Sequence, residues 1–223
     1  MKQAVGCRCI RVVFAILFIA FQHRLALATG LESLESFMRT VRAGRAAFTQ
    51  VVTPPPRDGQ AVRSKTSSGR FEFQRPGRLR LTYARPFEQV MVADGQTLWL
   101  YDVDLNQVTA RRQAQALGAT PAALLGAAAD LRALEAEFVL EDAPERDGLQ
   151  WVTATPRVKD GPLNRVLLGW RVGERGPVPA VLEMLDSFGQ RSVLRFADFE
   201  VNPVLTPDRF QFRPPPGADV VRP

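Results

Sequence analysis

After residue 43 the chain changes rhythm. Up to that point apolar side chains fall at helical spacing: Leu31, Leu34, Phe37, Met38 and Val41 share one face. Thr29 stands three residues before Glu32, the spacing of a capping box, so the helix is expected to begin there. Beyond Gly44 the period drops to two. Ala46, Phe48, Gln50 and Val52 alternate with Ala47, Thr49 and Val51, as in a strand with two unlike faces.

Strand signals then dominate. Residues 69–74, 78–83, 88–93, 97–102 and 106–111 alternate or run apolar, with Asp94-Gly95 as a tight hairpin turn. Residues 53–68, rich in Pro, Gly and Ser, read as a loop. Thr120-Pro121 is an N-cap followed by an N1 proline, opening a second helical stretch through Leu124 and Leu125 and on toward Leu134. Six further strands are expected at 137–141, 150–155, 164–172, 178–185, 191–201 and 209–213. The fold class is therefore mainly β with a few α-helices: about eleven strands in one large curved antiparallel sheet or unclosed barrel, because so many strands rarely stay flat. A helix packed on the concave side fits better than a two-sheet sandwich.

Three strands break the alternation expected of a sheet with one wet face. Val90–Ala93, Leu98–Tyr101 and Val166–Trp170 are apolar on both sides. Either helices cover the second face, or bulky side chains line an internal cavity for an apolar ligand.

The N-terminus changes the chemical picture. Lys2, Arg8 and Arg11 precede an apolar run from Val12 to Phe21, and Ala26-Leu27-Ala28 follows as a small-x-small cleavage signal. The run is about half the length that spans a bilayer. Residues 1–28 are expected to be a cleavable signal peptide cut after Ala28, and residues 29–223 a single exported domain. No cysteine follows the cut to accept a lipid anchor, which points to a soluble periplasmic product.

Cleavage would remove the only histidine, His23, and both cysteines, Cys7 and Cys9. The remaining chain then has no imidazole base, no thiolate and no soft metal ligand, so neither a Ser-His-Asp triad nor a structural metal or cofactor site is expected. The charge changes too. Losing Lys2, Arg8, Arg11 and Arg24 leaves 25 basic against 23 acidic residues, a net +2 instead of +6. The basic side chains are interspersed with acidic ones, so no nucleic-acid partner is expected. Asp102 and Asp104 could in principle act as a carboxylate pair, but they read more simply as turn residues.

In order along the chain, Phe48-Thr49-Gln50, Gly69–Gly77 with Arg75-Pro76, the block Asp94–Asp102, Leu105–Val108, Thr120-Pro121 and the closing Phe210–Gly217 resemble the outer-membrane lipoprotein carrier family, LolA. That resemblance implies an unclosed eleven-stranded barrel under an α-helical lid. It also implies a monomeric, non-enzymatic carrier without cofactors. Such a carrier takes acylated lipoproteins from an inner-membrane ABC transporter to an outer-membrane acceptor. Three acyl chains carry on the order of 45 methylenes, at about 0.8 kcal/mol each in water, so the carrier must cover them with apolar wall. A sensor or adaptor that binds lipid on the same scaffold, or a carrier of another lipid, is the alternative.

The resemblance implies roles for particular residues. Arg75 is expected to latch the lid, its planar fork of donors satisfying carbonyls at helix C-termini. The cavity is expected to be lined by Phe71, Phe73, Leu79, Leu81 and Tyr83, together with Val90, Val92, Leu98, Trp99 and Leu100. Leu34, Phe37, Met38 and Val41 on the first helix, and Leu124 and Leu125 on the second, are expected to face it from the lid.

Overall fold

A computed structural model describes residues 29–56, 61–116, 123–126 and 128–223. The leader, Thr120 and Pro121 lie outside the described residues, as does the side chain of Leu124. Within them the chain folds as α1 (Gly30–Thr40), β1 (Ala43–Thr53), β2 (Lys65–Gln74), β3 (Arg78–Arg85), β4 (Gln89–Asp94), β5 (Thr97–Asp102) and β6 (Gln107–Arg112). Three short helices follow, α2 (Gln113–Ala116), α3 (Ala123–Gly126) and α4 (Leu131–Glu137). The chain then runs through β7 (Phe138–Arg146), β8 (Leu149–Pro156), β9 (Leu163–Gly173), β10 (Gly176–Asp186), β11 (Arg191–Val201), a 3-10 turn (Pro207–Phe210) and β12 (Asp219–Val221).

All twelve strands form one sheet, in the order β12-β6-β5-β4-β3-β2-β1-β11-β10-β9-β8-β7. The order is linear, so β12 and β7 are edges and the barrel does not close. Every pairing is antiparallel except β12 with β6, which is parallel.

The concave face follows from the register. Phe71 pairs with Leu81 and Phe73 with Leu79, while Ala46 pairs with Phe71 and Phe48 with Phe196. These side chains form one buried cluster with Leu34, Phe37 and Met38 of α1 and with Leu168, Trp170, Leu182 and Leu194 from the other half of the sheet. Phe37 sits at its centre, fully buried, with ring centroids 5.0 Å from Trp170, 6.0 Å from Phe199 and 6.2 Å from Phe73.

Helix α1 begins where the sequence places it. The Glu32 amide donates to Thr29 Oγ1 at 3.2 Å and the Thr29 amide to Glu32 Oε2 at 2.8 Å, completing the capping box. Gly30 lets the helix lie directly on β8, since a Cβ there would stand 2.0 Å from the Trp151 carbonyl oxygen. At the other end Asn202 ties the helix to β1. Its Oδ1 accepts from the amides of Arg42 and Ala43, and its Nδ2 donates to the Thr40 carbonyl.

Three expectations need correction. Residues 65–68 are not loop: they extend β2 and pair with Val52 through Thr49. Residues 209–213 are not a strand. Phe210 and Phe212 alternate as strand residues would, but prolines at 207 and 214 bracket them and the segment crosses the sheet instead of joining it. The real last strand, β12, is only three residues long and follows Pro214-Pro215-Pro216-Gly217. The second helical stretch is not continuous to Leu134: α3 ends at Gly126, and α4 starts afresh at Leu131, with the Asp130 side chain accepting from the Ala133 amide as a new N-cap.

A candidate lidded cavity and its latch

The two halves of the apolar pattern go to opposite faces. Leu79, Leu81 and Tyr83 stand opposite Ala93, Met91 and Gln89, and Met91 and Ala93 stand opposite Leu100 and Leu98. Phe71, Phe73, Leu79, Leu81, Tyr83, Leu98 and Leu100 therefore lie on the concave side. Val90, Val92 and Trp99 do not. Val92 pairs with Arg80 and Trp99, and Val90 with Thr82 and Tyr101, so all three belong to the convex face. A single register decides this, because neighbouring residues on a strand point to opposite sides.

What covers the convex side is the C-terminal segment, which no helical pattern announced. Phe210 is buried, and Phe212 packs at 5.6 Å from Trp99 and 5.9 Å from Tyr101. Arg209 pairs with Glu72, which is only 2% exposed, and its carbonyl accepts from Arg80. Asn106 Nδ2 then donates to the Gly217 carbonyl at 3.0 Å, leading the chain into β12. For β4 and β5 the concave face is thus covered by the helices and the convex face by a strap that is not helical.

Trp99 is held from below as well. Its Nε1 donates to Asp94 Oδ2 at 2.9 Å, and the amides of Gln96 and Thr97 donate to Asp94 Oδ1 at 2.8 Å each. Burial alone would raise the Asp94 carboxyl, but donors from Thr97, Trp99 and Gln96 outweigh it and hold the group below its ordinary value.

Arg75 occupies the β2–β3 turn and is 8% exposed, so it is no surface arginine. Its backbone amide donates to the Arg42 carbonyl at 2.8 Å. The guanidinium forks: Nη1 donates to the Val41 carbonyl at the end of α1, and Nη2 to the Leu125 carbonyl of α3 at 2.8 Å. Those are carbonyls that each helix end leaves without an intrahelical donor. The cation also lies over the rings of Phe37 (5.0 Å) and Phe73 (5.2 Å). Burial, helped by the nearby charge of Arg42, pushes its pKa down to about 10, so it stays charged at neutral pH. One side chain thus joins two helices and the sheet.

Two further residues of the latch region carried no sequence signal. Gly126 closes α3 against the sheet, where a Cβ would come within 2.8 Å of Phe73 Cβ. Gln113 bridges two turns, its Nε2 donating to the Gly77 carbonyl and its Oε1 accepting from the Gly95 amide. Leu125 is buried within the main cluster, as are Leu34, Phe37, Met38 and Val41. The interior is thus filled by the helices' own side chains. A cleft of about 730 Å³ does open at the β12 edge, lined by Arg111, Arg112 and Arg222, but it lies outside that interior. Among the described residues no group of His, Cys, Asp and Glu is placed to hold a metal ion, and no helix is long and apolar enough to cross a membrane.

The described residues thus form an open, almost wholly antiparallel half-barrel, roofed by helices whose apolar faces fill it and bound to them by one arginine. The family model described as outer membrane lipoprotein carrier protein LolA matches residues 39–213. Two relatives named outer-membrane lipoprotein carrier protein are similar over nearly their full lengths. The one from Albidiferax ferrireducens is 64% identical, covering 94% of this chain and 98% of its own. The one from Methylibium petroleiphilum is 51% identical, covering 88% and 91%. The chain belongs to the LolA family of outer-membrane lipoprotein carriers. Among solved structures, an uncharacterized conserved protein from Thermus thermophilus shares the fold, with a TM-score of 0.50 at 13% identity, covering 86% of this chain and 96% of that one.

Proposed function

We propose that this protein is a periplasmic carrier. It takes acylated lipoproteins released by an inner-membrane ABC transporter and delivers them to an outer-membrane acceptor, working as a monomer and without catalysis. The observation that carries this reading is the lid. The apolar face of α1 fills the concave interior, and a single buried arginine ties α1 and α3 to the sheet. Cargo and lid compete for one apolar surface. When acyl chains enter, Leu34, Phe37, Met38 and Val41 leave, and Phe71, Phe73, Leu79, Leu81, Leu98 and Leu100 exchange one apolar partner for another. The sheet then gains little burial in either direction, which keeps the exchange near balance and lets the cargo leave again.

Arg75 sets that balance. In the closed form Nη1 and Nη2 each donate to a helix-end carbonyl while Nε stays buried without a partner, and opening exposes the whole fork to water. The N-terminal segment supplies the export that the role requires, with processing after Ala28. The test is direct. Native protein purified from a periplasmic extract is denatured, extracted and examined by mass spectrometry for acylated peptides, in parallel with transfer of a radiolabelled lipoprotein to acceptor-bearing vesicles. Recovery of acylated cysteine peptides and their transfer supports the carrier. Recovery of a lipid with no peptide attached defeats it.

A further inference from the structure

The concave face is not uniformly apolar. Tyr83 Oη donates to Gln50 Oε1 at 2.9 Å, and Gln50 Nε2 donates to Ser192 Oγ at 2.7 Å. The row reaches across four adjacent strands, β3, β2, β1 and β11. It can do so because β2 contributes Gly69 at the crossing point, directly opposite Tyr83 and Phe48. A Cβ there would stand 2.0 Å from the Thr82 carbonyl oxygen and 3.0 Å from the Phe48 ring. With no side chain in the way, Tyr83 crosses β2 and packs edge-on against Phe48, centroids 5.1 Å apart.

Buried polar side chains on a largely apolar wall cost stability unless they are bonded or serve a ligand, and the row has polar neighbours in Ser67, opposite Gln50, and Gln89, opposite Tyr83. Here the bonds run in one direction and leave donors over. Among the described residues, the Ser192 hydroxyl hydrogen and the second Gln50 amide hydrogen have no acceptor. Ser192 is 5% exposed and Tyr83 and Gln50 are half-buried, with Leu194 and Phe48 beside them in the core. Burial pushes the Tyr83 hydroxyl up to about 12, so it remains a neutral donor throughout any working range. Gln50 lies six residues along β1 from Gly44 at the latch end, about 20 Å away. The apolar compartment around Phe37 and Phe73 therefore lies on one side of the row, and the end of the sheet remote from Arg75 on the other.

The geometry points to a polar subsite, Tyr83–Gln50–Ser192, that receives the ester carbonyls joining acyl chains to the glyceryl group of the cargo. The inference rests on the carrier reading. The ligand has to present acceptors to surplus donors, at a boundary with apolar chains on one side. A fatty ester does this and a plain hydrocarbon does not. Seating the carbonyls there fixes how far the chains enter, since beyond the row they meet only apolar wall.

The experiment compares two synthetic lipopeptides, one a diacylglyceryl cysteine peptide with ester linkages and the other its dialkyl ether counterpart, which lacks the carbonyls. Affinities are measured by competition with an apolar fluorophore on the full mature protein. The wild type is expected to bind the ester about five- to thirtyfold more tightly, the worth of one or two hydrogen bonds. Tyr83→Phe, which keeps the ring on Phe48, and Ser192→Ala should bring that ratio to within about twofold by weakening ester binding far more than ether binding, with a small fall in melting temperature from the internal hydrogen bond each variant loses. If the variants keep the wild-type ratio, or if the wild type itself shows none, the subsite is overturned and the carrier stands. If the wild type binds neither lipopeptide, the carrier reading fails and the subsite falls with it.

Discussion

Replacing Arg75 by leucine should turn a carrier that releases into one that holds. The closed form would lose both donors, to the Val41 and Leu125 carbonyls, and the cation's contacts with Phe37 and Phe73. Against that, leucine would remove a desolvation cost. The lowering of the Arg75 pKa to about 10 corresponds to about 3 kcal/mol spent keeping the charge in place. Hydrogen bonds from a charged group are worth about 1.5–3 kcal/mol each, and a helix-end carbonyl left dry costs about 1–3 kcal/mol. Both carbonyls lie at helix ends, where water can enter on opening, so the net bias toward the open form is about 1–3 kcal/mol. That is roughly five- to 150-fold in the open-to-closed ratio. The fold itself should survive, because the cluster around Phe37 does not depend on the guanidinium. The assay loads purified variant with a lipoprotein and follows transfer to acceptor-bearing vesicles. Loading should equal wild type and transfer should fall by an order of magnitude or more. Arg75→Lys, which keeps the charge without the fork, should lie between. Normal transfer by the leucine variant would refute the latch.

Gly126→Val should open the same lid from the other side, because its side chain would meet Phe73 where α3 now seats. Proteolysis within α3 should accelerate while the melting temperature falls little. Arg209→Ala should leave Glu72 buried without its partner and cost about 3–5 kcal/mol in urea unfolding, whereas replacing both residues by leucine should cost far less. Trp99→Ala should destabilise the fold by about 2–4 kcal/mol yet leave ester lipopeptide affinity unchanged, since the ring packs on the convex side against Phe212. Asp94 is depressed below its ordinary value in the folded protein, so the stability it contributes is present above the unfolded carboxylate range and is lost as pH falls through its folded pKa. Asp94→Asn should flatten the pH dependence of unfolding below pH ~4, and an unaltered acid limb would remove that assignment.

Much of this was legible from spacing. The capping box at Thr29, the hairpin at Asp94-Gly95 and the alternation around Leu79 and Leu81 are local signals, and each produces its element at the stated place. The failures share a cause. Val90 and Val92 look like cavity residues because they are apolar, but only the pairing of Arg80 with Val92 says which way they point, and pairing is a long-range fact. Residues 209–213 carry strand-like alternation for a different reason, since Phe210 and Phe212 pin a strap onto a sheet they never join. Gly126 and Asn202 act through close approach and through carbonyls brought near by folding, which leave no trace in local composition. Arg75, whose buried fork reaches both helix ends, was singled out only through the family resemblance, because an arginine at a turn ordinarily faces water.

The linear strand order has a mechanical consequence. A closed barrel can widen only by breaking a ladder or slipping its register, and either change is abrupt. Here β7 and β12 end the sheet as separate edges, one carrying Pro144 and a run of carboxylates, the other only three residues long. Each resists recruiting a foreign strand. The curvature between them can change by small increments of twist shared across eleven pairings, with every backbone hydrogen bond kept. An unclosed wall of this kind has a mechanical freedom that a closed barrel lacks.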